Sequence, residues 1–203
     1  MKTGDLLKQA KANADESSIS SADKSFETAQ KANEGFLSLK NKLLSIGEWN
    51  AHAFTSSYEL FDEDGNVVGN GELAVGLLIR IKIAASGKFD WIRVINFHGA
   101  ADEFIITVKP AFDPTAENKN KNIISHFFTD ESTNNFCLFK KNKTVAFYVI
   151  GLNEKQNTTE TSGALETIRN LAVNVATYLG TQKSEWEKFC HHFLEDAAKK
   201  NTI

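Results

Sequence analysis

From Trp49 to Ile150 apolar and polar residues recur with a period near two, and on either side of that stretch the period returns to that of a helix. The chain therefore reads as a helical segment, a β region and a helical C-terminus. Residues 3 to 46 are expected to form helix in two pieces, because Ser17-Ser18-Ile19-Ser20-Ser21 offers cap residues and poor helix formers in the middle. The second piece carries a stripe of Phe26, Ala29, Phe36, Leu37, Leu43 and Leu44. The first has little beyond Leu6, Leu7, Ala10 and Ala14.

Within the β region, Asp64-Gly65 between Leu60-Phe61 and Val67-Val68 predicts a hairpin. Leu73, Val75, Leu77, Ile79, Ile81 and Ile83 predict one face of a strand, and "FDWIRVINF" places Phe89, Trp91, Ile95 and Phe97 on a face with Arg93. Pro110 marks "EFIITVKPAF" as an edge strand or one that ends there. A last hairpin runs from about Phe127 to Ile150 around Lys141-Asn142. Its strands contain Phe136-Cys137-Leu138-Phe139 and Val145-Ala146-Phe147-Tyr148-Val149-Ile150. These runs have no polar alternation, so both faces need cover.

A second helical pattern follows "NEKQNTTETSG", with Ala164, Leu165, Ile168, Leu171, Val175 and Leu179 as its stripe and Gly180 as its stop. Ser184 and Glu187 form a capping box before Trp186, Phe189, Cys190, Phe193 and Leu194. The expectation is an α+β fold. An N-terminal helix or helical hairpin precedes a mostly antiparallel, curved sheet of six or seven strands, and a C-terminal helical hairpin packs on that sheet. The division is a helical segment over residues 1–46 and an α+β domain over 47–203. This order of elements resembles lipid-binding helix-grip domains, in which an antiparallel sheet wraps a long C-terminal helix around a cavity. It departs from them in the C-terminal hairpin and the helical segment before the sheet.

Composition adds exclusions. With 203 residues, 41% hydrophobic and 24% charged, the chain can bury a substantial core. A net charge of −3 and only three arginines, Arg80, Arg93 and Arg169, argue against nucleic acid as a partner. No apolar run reaches membrane-spanning length and the N-terminus lacks a signal core, so a cytoplasmic protein is expected. The only cysteines, Cys137 and Cys190, give no disulfide framework.

Chemistry-bearing motifs are sparse. "DEDGN" at Asp62 to Asn66 lacks the closing Glu of a calcium loop, where Gly71 stands instead. His191 and His192 are neighbours on a helix and cannot share a metal in i, i+4 fashion. His52, His98 and His126, with Asp90, Asp102, Asp130 and Glu131, lie near strand ends where an acid–base site could form. No nucleophile elbow or phosphate loop is present, so no catalytic residue, metal ligand or cofactor is assigned.

The first functional expectation is a non-catalytic module that binds a small hydrophobic or amphipathic ligand in an apolar pocket between sheet and helices. Arg80 and Arg93 would stand at its mouth, with Trp91 and Phe147 in its lining. The alternative is a filled scaffold that uses residues 3–46 to dock a protein partner or a second copy of itself.

Overall fold

The structure is a computed structural model that describes residues 1–52, 56–69, 71–83, 89–117, 120–157 and 175–195. Its elements run in the order α1 (Thr3–Ala12), a short 3-10 turn (Ala14–Glu16), β1 (Ser17–Ser25), α2 (Ala29–Leu44), α3 (Ile46–His52), β2 (Ser56–Phe61), β3 (Val67–Gly69), β4 (Leu78–Ile83), β5 (Phe89–Gly99), β6 (Glu103–Pro110), β7 (Thr133–Lys141), β8 (Thr144–Leu152) and α4 (Val175–Glu195). All the strands join one antiparallel sheet in the order β1-β8-β7-β6-β5-β4-β2-β3, so the sheet has eight strands where six or seven were expected.

The added strand lies where helix was expected. Ser17–Ser25 pairs along its whole length with β8, from Ser17 opposite Leu152 to Ser25 opposite Thr144. Serines favour neither helix nor strand strongly. Here the edge of β8, apolar on both faces, supplies the ladder that decides the outcome. The second helical piece forms as expected, and Thr28 caps it by accepting a hydrogen bond from the Lys31 N–H at 3.1 Å.

A bulge between Val94 and Asn96 shifts the register of β5 against β6. Trp91 and Arg93 consequently share one face of the sheet, while Phe97, beyond the bulge, packs on the other with Ile92 and Val94. Strand β4 begins only at Leu78, because Gly76 takes φ +96° and its N–H bonds back to the Val94 carbonyl at 2.9 Å. The hairpins at Asp64-Gly65 and Lys141-Asn142 are present, and β6 ends at Pro110 as a central strand. Helix α4 runs through Gly180 and Ser184 without a break. The helix expected from Ala164 to Leu171 lies outside the described residues.

Two layers cover the sheet. On the concave face, α2, α3 and α4 bury Phe36, Leu39, Leu43, Trp49, Phe189 and Phe193 against alternate residues of β2 and β4 to β8. On the convex face, α1 lays Leu6 and Ala10 over Ile105, Cys137, Ile150 and Leu152. The second face of the last hairpin, unexplained in the sequence, is therefore covered by the first twelve residues of the chain. The contact is anchored at its start: the Thr3 N–H donates to Glu103 Oε1 at 2.6 Å, and His98 Nε2 lies 3.5 Å from Glu103 Oε2. A buried carboxylate on β6 thus caps the positive end of α1 from another element. Glu103→Gln is expected to cost about 1 kcal/mol and to speed amide exchange in α1 ahead of the sheet, measured by hydrogen exchange and denaturant melts.

Candidate functional site

The residues expected to line one pocket lie on two faces. Phe147 is buried in the concave core, with ring centroids 4.9 Å from Phe193 and 6.1 Å from Phe189. Trp91 is buried on the convex face beside Phe61, Leu78, Ala111 and Phe112. Arg80, opposite Trp91 in the ladder, pairs with Glu59 and lays its guanidinium over Phe61, Phe89 and Trp91 at 4.9, 4.5 and 5.9 Å. Arg93 bonds Glu63 at 2.9 Å and covers Phe112 at 5.2 Å. Both cations thus serve as lids on convex aromatic clusters, each with a carboxylate of its own.

The histidines do not meet. His98 stands at the far end of β5 beside Glu103, whereas His126 lies by Asp90 near its start, eight residues and roughly 25 Å away along the strand. His52 closes α3 before β2. His191 and His192 are exposed on α4. Among the described residues no group of three or more His, Cys, Asp or Glu side chains is placed to hold a metal ion. Cys137 and Cys190 are free and buried in separate clusters, where burial pushes both thiols up to about 12.

Other polar residues lie on the concave face. Helix α4 runs along β1, and its last carbonyls, Leu194 O and Glu195 O, accept from Lys24 Nζ at 3.1 and 3.0 Å. Under that half of α4 the concave face is filled by Trp49, Phe136, Phe147, Trp186, Phe189 and Phe193 in edge and tilted contact. Bordering this cluster, where Tyr58 packs edge-on at 5.5 Å from Trp49, alternation brings polar side chains of β2, β5 and β7 onto the same concave face. Asp90 follows the face of Ile92, Asn134 that of Phe136, and Tyr58 that of Leu60.

All three are buried. Asn134 is 6% exposed and its amide makes no hydrogen bond among the described residues, an uncommon state for a buried side chain. Burial pushes the Tyr58 phenol up, helped by the nearby Glu185 carboxylate of α4. His126 Nδ1 accepts the Phe128 N–H at 2.9 Å, which assigns the ring proton of the neutral imidazole to Nε2. Burial lowers its basicity, while the Asp90 charge and that hydrogen bond work the other way. The His126 backbone is held in turn by Asn157 Nδ2, which donates to the carbonyls of Ile124 and His126 at 3.2 and 3.3 Å.

Across β7, β8 and β1 the same end carries Asn134, Gly151 and Ser18 in one row. The Glu154 carboxylate folds back over Gly151 and accepts from Ser18 Oγ at 3.0 Å. A Cβ on Gly151 would collide with that carboxylate and come within 2.6 Å of Ser18 Oγ, so the glycine makes room for it. Burial raises the Glu154 carboxyl, with the Ser18 bond opposing. Sequence patterns could not single out Asn134, Ser18 or Glu154, because their proximity exists only through the β7-β8-β1 ladder.

Comparison with known proteins bears on the fold. No protein-family model matches the chain, and no curated protein matches it in sequence. Among solved structures, a hypothetical protein from Helicobacter pylori superposes with a TM-score of 0.51 at 11% identity, over 89% of this chain and 88% of that one. The two share a fold. Looser likenesses join the chain to the Zhui aromatase/cyclase from a Streptomyces species, at a TM-score of 0.45 and 8% identity over 92% of this chain and 98% of that one. The di-domain ARO/CYC protein StfQ of the steffimycin biosynthetic pathway also superposes at a TM-score of 0.45 and 8% identity, over 96% of this chain and 56% of that one. No described helix is long and apolar enough to cross a membrane.

Proposed function

We propose that the protein is a non-catalytic binding module that takes a small amphipathic ligand between the concave face of its sheet and α4, beside Asn134. The observation that carries this reading is Asn134. Its side chain is 6% exposed, lies beside Phe136 on the concave face and makes no hydrogen bond among the described residues, so its amide has donors and an acceptor that a ligand group would use. The fold supports it as well, since a curved sheet and a long C-terminal helix can close on a molecule from two sides.

Asn134→Leu separates this reading from a filled scaffold. A ligand site predicts that the variant is as stable as the parent or more stable, while Nile red binding weakens by roughly tenfold. A structural role predicts a loss of about 1 to 3 kcal/mol with no dye binding in either protein. Native mass spectrometry of the gently purified parent is expected to retain a small-molecule adduct that the variant lacks.

A further inference from the structure

Helix α1 holds the convex face by a short contact and joins the sheet through an exposed link. Only Thr3, Leu6 and Ala10 of the helix are buried, with Leu7 partly so, while Gly4, Asp5, Lys8, Gln9 and Lys11 are exposed. The one hydrogen bond its backbone makes to another element, among the described residues, is that from the Thr3 N–H to Glu103 Oε1. Residues 13–16, which lead to β1, include no buried side chain. From Ser17 onward the chain is locked, since β1 pairs with β8 along its whole length. A helix of ten residues does not persist in water without a docking face. Loss of that face therefore releases α1 as one unit, and the ladder stops the opening at Ser17.

Under the helix lies Cys137. It stands in the ladder between Ile105 and Tyr148, both part of the cluster that Leu6 and Ala10 complete. Burial pushes its thiol up to about 12, the nearby Thr3 hydroxyl opposes that rise and the Glu103 charge adds to it. The second thiol is set differently. Cys190 belongs to α4 and to the main core of the concave face, with Trp49, Phe147, Phe189 and Phe193. Burial pushes it up to about 12 as well, so neither thiol reacts in the closed state. They differ in what must move to release them: ten residues of α1 for Cys137, the concave core for Cys190.

We propose that α1 is a strap that opens about residues 13–16 and gates the Cys137 thiol, while the sheet and Cys190 stay closed. The coupling runs both ways. A group joined to Cys137 Sγ stands in the cluster that α1 packs on, so a modified chain keeps the strap undocked. This device lies on the convex face and does not depend on the ligand site proposed for the concave one.

Iodoacetamide added to the full chain at pH 8 reads both thiols at once, by mass spectrometry of the peptides that carry them. The thiolate sulfur displaces iodide to form the thioether, and the thiol proton passes to the buffer. Without denaturant Cys137 is expected to be alkylated faster than Cys190 by roughly tenfold or more. Its rate should be nearly independent of urea below the unfolding transition, whereas that of Cys190 climbs with urea. Glu103→Gln is expected to raise the Cys137 rate roughly fivefold and to leave that of Cys190 unchanged. Leu6→Ala alters the strap and spares the sheet, and it provides the same readout if the first variant folds poorly. Protein alkylated at Cys137 should lose amide-exchange protection in α1 and keep it in β6 to β8. Cys190 reacting as fast as Cys137, with both rates rising together in urea, would overturn the proposal, because α1 would then leave only when the whole protein unfolds. Variants that speed both thiols alike would overturn it too, and an alkylated chain with α1 still protected would overturn the coupling.

Discussion

Phe147→Ala is expected to cost about 3 to 5 kcal/mol and to lower the urea midpoint accordingly, without a selective effect on ligand binding in the protein that remains folded. The residue is fully buried and its ring meets Phe189 and Phe193 of α4. Truncation removes the contact that locks the C-terminal helix to β8, and the neighbours are aromatic rings already in mutual contact, which cannot collapse into the space. Phe147→Leu, which keeps most of the volume, should recover more than half of the loss. A Phe147→Ala protein of near-parental stability that fails to bind Nile red would instead place the ring in a ligand cavity. Measuring stability and binding on the same variant therefore distinguishes core from lining.

The fold class was legible because a β period dominates the middle of the chain and because Asp64-Gly65 and Lys141-Asn142 punctuate hairpins that exist, although the strands that follow α2 begin at Ser56 and not at Trp49, which α3 holds. Strand β1 was not legible. Ser17–Ser25 has one large apolar residue, Ile19, and its strand state comes from β8, a partner more than a hundred residues away in sequence. The face assignment of "FDWIRVINF" failed for a related reason: a bulge adds one residue to one strand, and the pattern beyond it changes side without any signal in composition.

The chemistry of the sheet was harder still to read. Arg80 and Arg93 stood out as isolated cations in apolar strands, yet Glu59 and Glu63, which neutralise them, come from β2 and the turn that follows it. Asn134, Ser18 and Glu154 gave no such signal, although the ladder sets them side by side. A polar residue in a strand looks ordinary in a sequence, and it becomes informative only when its face proves to be the dry one.

Burial also gives His126 a measurable signature. Its folded basicity is lowered, first by burial, so the folded state resists the proton that the unfolded chain accepts near the ordinary histidine value of 6.5. Stability contributed by the neutral ring is fully present above that value and is lost as the pH falls below it, by up to about 1.4 kcal/mol per pH unit until the folded group itself titrates. Glu154 acts in the opposite sense. Its raised carboxyl takes up a proton in the folded state before the unfolded one, so stability rises as the pH falls through its folded value toward 4.5. His126→Asn isolates the first effect, because an asparagine Oδ1 can accept the N–H two residues on, as Nδ1 accepts that of Phe128, without titrating. Stability measured by urea melts between pH 7 and pH 5 should fall in the parent and fall less steeply in the variant, whatever the variant's absolute stability. Parallel curves would mean that His126 binds its proton equally in both states, through ionic contact with Asp90, and that its surroundings are wetter than its burial implies.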